Sequence, residues 1–221
     1  PGSVTINTIA VAALICICRT PLINYIGALM FNGSVKWPIM ADDLCIAITG
    51  TPGTGKTSIC EYLLKKGFTN YSVEKLAEEN GCLGEIDSND NSAPVDVHEL
   101  ADKWQCEDAG IVFVDGHLSH LLDVEAIVVL RCNPATIDER LKSREYTKEK
   151  IAANVEWEMI SGVWSEMLEF EIENPSLELD STEKTSKQLC EEILDWIEEG
   201  CQSLSVEENA TRAIDWLSTN S

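Results

Sequence analysis

The chain has 221 residues, of which 44% are hydrophobic and 24% charged, a composition that excludes a disordered, collagen-like or coiled-coil protein and suits one compact α/β domain. Asp and Glu number 38 against 16 Lys and Arg, for a formal net charge of −22. A surface this acidic repels phosphate backbones, which excludes non-specific nucleic-acid binding, and it attracts a basic protein partner or serves solubility alone.

Residues 1–40 contain no Asp or Glu and only two charges, Arg19 and Lys36, whereas residues 41–221 hold all 38 acids. Such a break marks a boundary. Two apolar runs, at 8–18 and 22–32, are separated by Arg19, Thr20 and Pro21. Neither reaches the ~20 residues that span a bilayer, so a membrane anchor is the weaker reading. Met40 lies four residues before the first clear strand, and residues 1–39 read as an apolar extension outside the core.

From Met40 onward strands and helices alternate. Leu44–Thr49 reads as a buried strand, Gly50–Gly55 as a glycine-rich turn and Lys56–Lys65 as a helix. Phe68–Ser72 is a short strand whose Ser72 is placed to cap a helix over Val73–Glu79. Residues 80–94 form a polar loop, and Val95–Glu107 an amphipathic helix. Ile111–Val114 and Ala126–Leu130 are further buried strands. Asn133 and Pro134 supply an N-cap and an N1 proline for a helix over Ala135–Ser143. After a charged link, Lys150–Glu171 reads as one long helix carrying Trp157 and Trp164, which are expected to pack. A last strand at Leu177–Leu179 precedes helices over Ser186–Glu199 and Val206–Leu217, so residues 201–221 read as a C-terminal helix after a domain spanning 40–200. Strands separated by helices imply an α/β fold: three layers, with a parallel sheet of about five strands covered on both faces.

Nine cysteines are present, an odd number, with no CxxC spacing, and most sit in apolar runs. They read as buried reduced thiols in a reducing, cytoplasmic compartment. His98, His117 and His120 have no flanking cysteine pairs, so no zinc site is visible.

Residues 50–57, Gly-Thr-Pro-Gly-Thr-Gly-Lys-Thr, match GxxxxGK[ST] between an apolar strand and a helix, the context that confirms a phosphate-binding loop. Gly50, Gly53 and Gly55 let the backbone curl so that amides converge on one oxyanion. Lys56 supplies a mobile charge for the β- and γ-phosphates, and Thr57 a hydroxyl for Mg²⁺. Asp115, at the carboxyl end of its strand, suits the Mg²⁺-holding role of Walker B. His117, two residues on, is placed to orient a water or a phosphoryl acceptor, or is a surface residue. Of five arginines, three lie within 131–144: Arg131, Arg140 and Arg144. Their forks are expected to converge on a transferring phosphoryl group, the alternative being surface pairing with Glu139 and Glu145.

Four segments stand in a telling order: Gly50–Thr57, Val114-Asp-Gly-His117, Val129-Leu-Arg131 and Glu139-Arg-Leu-Lys-Ser-Arg-Glu-Tyr146. Together they resemble the adenylate kinase isoenzyme 6 family, from about Leu44 to about Glu199. The resemblance implies a nucleoside monophosphate (NMP) kinase fold with an NMP-binding segment near 73–95 and a short lid near 143–153. It implies Mg²⁺-dependent transfer of the terminal phosphate of ATP to AMP or another monophosphate, and ATPase activity. It also implies a role in small ribosomal subunit maturation, with a basic small-subunit ribosomal protein as partner. By position, Gly53, Gly55, Lys56, Thr57 and Ser58 would hold ATP, Arg144 would cover it from the lid, and Lys184 would lie near the nucleobase. Two departures stand out. Glu145 replaces the lid glycine of the family, which stiffens the turn and sets a negative charge beside the phosphates. No arginine exists between Arg19 and Arg131, where the family meets the monophosphate; Lys75 offers only a point charge. A monophosphate kinase, an ATPase switch for ribosome assembly and a small-molecule kinase therefore all remain open.

Overall fold

The computed structural model describes residues 43–85 and 93–219, together with the backbone of 29–31 and 34–36. The apolar run at 8–18, most of the run at 22–32, Met40 and the middle of the 80–94 loop lie outside the described residues. Contacts divide the chain into residues 1–38 and 39–221. In the first unit, β1 (Leu29–Phe31) pairs antiparallel with β2 (Ser34–Lys36), Leu29 standing opposite Lys36.

The second unit is built on a five-stranded parallel sheet. Its strands are β3 (Asp43–Gly50), β4 (Thr69–Ser72), β5 (Gly110–Asp115), β6 (Ala126–Arg131) and β7 (Ser176–Asp180), in the order β4-β5-β3-β6-β7. The three central strands read as continuous apolar runs because both their faces are covered. Alternate residues go to alternate faces. Cys45, Ala47, Val114, Ile127 and Val129 pack under α2 (Val73–Glu79), α3 (Val97–Lys103) and α6 (Gly162–Glu169). Leu44, Ile46, Ile48, Val128 and Leu130 pack under α1 (Lys56–Lys65) and α7 (Ser186–Glu198). A smaller cluster of Cys132, Ile137, Leu141 and Ile151 joins α4 (Pro134–Lys142) to α5 (Lys148–Met159). Seven cysteines among the described residues are free thiols, and all but Cys106 are buried.

The chain leaves β3 toward one side of the sheet, returns through β5, and crosses to β6 on the other side. The strand order therefore reverses at β3, and a crevice opens above its carboxyl end. In register, Ile48 and Ser72 both stand level with Asp115, and Gly50 with Leu130. The phosphate-loop entry and the strand-end aspartate are thus brought to one rim.

Four local expectations are corrected. Ser72 occupies the N-cap of α2, but its side chain makes no cap bond. The expected helix over 95–107 is shorter, because Asp96 caps it by accepting from Glu99 N and Trp104 turns extended to stack edge-on with Tyr71 at 5.8 Å. The expected helix over 150–171 breaks at Ser161, whose φ is +56°, because the Trp157 ring folds back onto Gly162, where a Cβ would come within 2.1 Å of it. The terminal helix also breaks, into α8 (Val206–Arg212) and α9 (Trp216–Thr219). Trp164 is buried as expected, and Trp157 is half-buried. No helix among the described residues is long and apolar enough to cross a membrane.

Gly116 lets the start of α2 close onto the end of β5, since a Cβ there would meet Val73 Cγ2 at 2.3 Å. Gly116→Ala should therefore cost about 1–3 kcal/mol, the range for overpacking a fitted contact, read as a lower urea midpoint at unchanged slope.

Candidate active site

The turn between β3 and α1 is shaped by backbone that only glycine tolerates. Gly50 has φ +140°, and a Cβ there would lie 2.3 Å from Leu130 O. Gly55, at the N-cap of α1, has φ +100° and leaves the first amides of the helix without a side-chain cap. Those amides carry the positive end of the helix dipole.

The loop carbonyls other than that of Pro52 are engaged by the protein's own donors. Lys56 Nζ donates to Gly50 O at 2.7 Å and to Thr51 O at 3.1 Å, and Thr54 Oγ1 donates to Thr51 O at 2.9 Å. Arg140 Nη1 donates to Gly53 O at 2.9 Å, Ser181 Oγ to Thr54 O at 2.6 Å, and Ile59 N to Gly55 O at 3.2 Å. Carbonyls held in this way do not turn toward an incoming anion, and the loop presents amides to it instead.

Three titratable groups meet at this rim. Lys56 is 9% exposed, and burial pulls its ammonium down to about 8; Arg144 lowers it further, while Asp115 and Glu158 act in the opposite direction. Burial pushes the Asp115 carboxyl up, against the Thr57 hydroxyl hydrogen-bonded to it and the nearby Lys56 charge. Burial and the Lys56 charge both lower His117, so its imidazole is neutral at pH 7. His117 Nδ1 lies 3.2 Å from Gly50 O, and its ring stands edge-on to Trp157. Thr57 and Ser58 sit exposed on the first turn of α1. The Thr57 hydroxyl and Asp115 carboxylate are hard oxygen donors already in contact, which fits Mg²⁺ held beside phosphate oxygens.

The three arginines do not converge as expected. Arg131 is 1% exposed and fully committed: Nε donates to Glu158 Oε1 at 2.7 Å, Nη1 to Glu178 Oε1 at 2.9 Å and Nη2 to Glu158 O at 2.9 Å. It braces the interior. Arg140 uses its fork on loop and strand-end backbone, Gly53 O and Ser181 O. Arg144 alone stands exposed, at the end of α4 and close enough to act on Lys56. The next residue, Glu145, has φ +60°, a conformation natural to glycine. Lys184 pairs with Glu192 at 2.7 Å on a loop that Ser181 ties to Thr54.

One participant went unnoticed in the sequence. Glu158 is 2% exposed and accepts from the Thr51 hydroxyl at 2.5 Å. Its signal was an acid at the third position of the stripe Ile151, Val155, Glu158, the apolar side of α5. His120 is buried and shares the Thr49 hydroxyl at 2.8 Å, with Glu166 3.2 Å from its far nitrogen. It packs as a structural histidine.

A glycine-rich loop at the switch point of a parallel sheet, with a buried lysine and a strand-end aspartate facing it, defines a P-loop kinase fold. The family model described as an AAA domain matches residues 46–161. A shikimate kinase from Acinetobacter baumannii shares this fold at a TM-score of 0.51 and 11% identity, over 72% of this chain and 96% of that one. The chain is 43% identical over 150 residues to a protein of Archaeoglobus fulgidus named "Putative adenylate kinase", covering 68% of this chain and 80% of that one. A Methanocaldococcus jannaschii protein of the same name is 31% identical, over 78% and 96% of the two chains. This chain belongs to that adenylate kinase-like family.

Two outcomes test the electrostatics and the strain. Phosphate oxygens at Lys56 favour the ammonium, so above pH 8 nucleotide binding takes up a proton. ATP affinity should be flat below pH 8 and fall up to about tenfold per unit above it, and Lys56→Met should bind weakly with no such slope; titration calorimetry across pH checks this. Glu145→Gly should raise stability by about 0.5–1 kcal/mol, through release of a left-handed L-residue, read from urea unfolding.

Proposed function

We propose that this chain is a Mg²⁺-dependent nucleoside monophosphate kinase of the isoenzyme 6 group, transferring the terminal phosphoryl group of ATP to AMP and also hydrolysing ATP. The observation that carries this reading is the clamped loop facing Lys56, Asp115 and a neutral His117. In the reaction, an acceptor oxygen bonds to the γ-phosphorus as the bond to the β,γ-bridging oxygen breaks, and ADP leaves. Thr57 and Asp115 would hold Mg²⁺, which would offset charge on the phosphate oxygens. Lys56 supplies the mobile cation on the same oxygens, while Gly50, Gly53, Gly55 and Ser58 shape and line the phosphate cradle. Arg144 closes from the lid, Arg140 holds the loop open for its anion, and Lys184 lies toward the nucleobase end. A neutral His117 accepts a hydrogen bond from the attacking water or acceptor.

A second reading, an ATPase switch in ribosome assembly, is favoured by one observation. The helix that would grip a monophosphate carries Lys75 among Glu74, Glu78 and Glu79, all exposed, and no arginine. A basic small-subunit ribosomal protein suits the −22 charge as partner, with maturation of that subunit as the setting and the cytoplasm as the compartment. Residues 1–39 lie outside the catalytic unit in either reading.

ADP formation from ATP and Mg²⁺, with and without AMP, separates the two: strong AMP stimulation is expected of the kinase and equal rates of the ATPase. His117→Ala should slow turnover roughly tenfold to a thousandfold with ATP affinity nearly unchanged. Glu78→Arg should raise the AMP-dependent rate by restoring a bidentate fork near the acceptor. Unchanged turnover in folded His117→Ala protein would remove His117 from the mechanism.

A further inference from the structure

The phosphate loop is backed by an ionic triad that the reaction does not use. Arg131 lies between Glu158 and Glu178, with both carboxylates within 2.9 Å of its nitrogens. One guanidinium against two carboxylates leaves an excess negative charge, and at the buried Glu158 further donors must hold it. Glu158 receives three: the Thr51 hydroxyl at 2.5 Å, Cys132 N at 3.1 Å and the Trp216 indole N–H at 3.0 Å. Glu178 receives two: the Trp164 indole N–H at 2.7 Å and Ile214 N at 3.0 Å.

Both glutamates thus draw a donor from one short segment near the end of the chain. That segment is where the expected terminal helix breaks. Ala213 turns extended, with ψ 149°, and the chain doubles inward until Trp216 is 4% exposed. From its indole, three contacts lead to the nucleotide site: Trp216 Nε1 to Glu158, Glu158 to the Thr51 hydroxyl, and Thr51 O to Lys56 Nζ.

We propose that Trp216 is a positioning residue for the nucleotide site: residues 213–216 strap Glu158 into the geometry that holds Thr51, and through Thr51 the phosphate loop and Lys56. The inference rests on this loop binding nucleotide phosphates, as argued above. Without the indole donor, Glu158 shifts toward Arg131 and releases the Thr51 hydroxyl.

The test uses the whole 221-residue chain, with ATP and Mg²⁺ as the probe. Dissociation constants, kinetic constants and melting temperatures are measured for Trp216→Phe, Thr51→Val, the double variant and Thr51→Ser. Trp216→Phe keeps the ring and removes the donor. It should weaken ATP binding about tenfold, with a smaller change in kcat than in KM. Thr51→Val should weaken binding similarly and Thr51→Ser should restore it. The double variant should be no weaker than the worse single one, since both act through Glu158. A Trp216→Phe protein that melts lower but keeps wild-type ATP affinity and KM would overturn the inference and leave a structural tryptophan. Fully additive losses in the double variant would overturn it as well. Failure of the unaltered chain to bind ATP would overturn the proposed function and this inference with it; normal binding by the unaltered chain with indifferent variants overturns the inference alone.

Discussion

A turn that presents amides to an anion must dispose of its own carbonyls, and much of this molecule is organised around that requirement. Of the six carbonyls at residues 50–55, the five other than that of Pro52 are satisfied by groups drawn from α1, α4 and the residue after β7. Each donor comes from an element anchored in the core. Arg140 reaches the loop because Ile137 and Leu141 fix α4, and Ser181 because β7 pairs with β6 in a register that sets Asp180 beside Arg131. The loop is therefore an extension of the sheet and its covering helices, not a free-standing turn.

Burial acts in one direction on the charged groups at the rim. It lowers Lys56 and His117 and raises Asp115, so each is drawn toward its neutral form. A polyphosphate with its counter-ion would reverse that tendency for the lysine and the aspartate together. The buried triad behind the loop is under the same constraint but resolves it internally, with tryptophan and backbone donors in place of a ligand.

Much of the fold was legible because its information is local. The central strands are short apolar runs bounded by turn residues, and the phosphate loop carries its spacing on its face. Asn133 and Pro134 start α4 as read, with Asn133 accepting from Ala135 N at 2.9 Å. What was hidden depends on partners far along the chain. The break at Ser161 follows from the Trp157 ring lying on Gly162, and the hydrophobic period continues through it undisturbed. Arg131 looked free for a ligand because nothing nearby in sequence pairs with it; its partners are 27 and 47 residues away. Glu158 and Thr51 are 107 residues apart, and only the folded sheet brings them together.

The free cysteines carry a consequence of their own. Only the thiolate attacks an electrophile or an oxidant, and burial suppresses it at Cys45, Cys60, Cys132, Cys190 and Cys201, with the last two raised to about 11. These thiols lie in both faces of the sheet and in the cluster under α4. At these five positions alkylation should be slow in the native state, and each layer that opens releases its own set of sulfurs; Cys106, which is not buried, stands outside this set. The order in which these five thiols become modifiable should record the order in which the layers come apart.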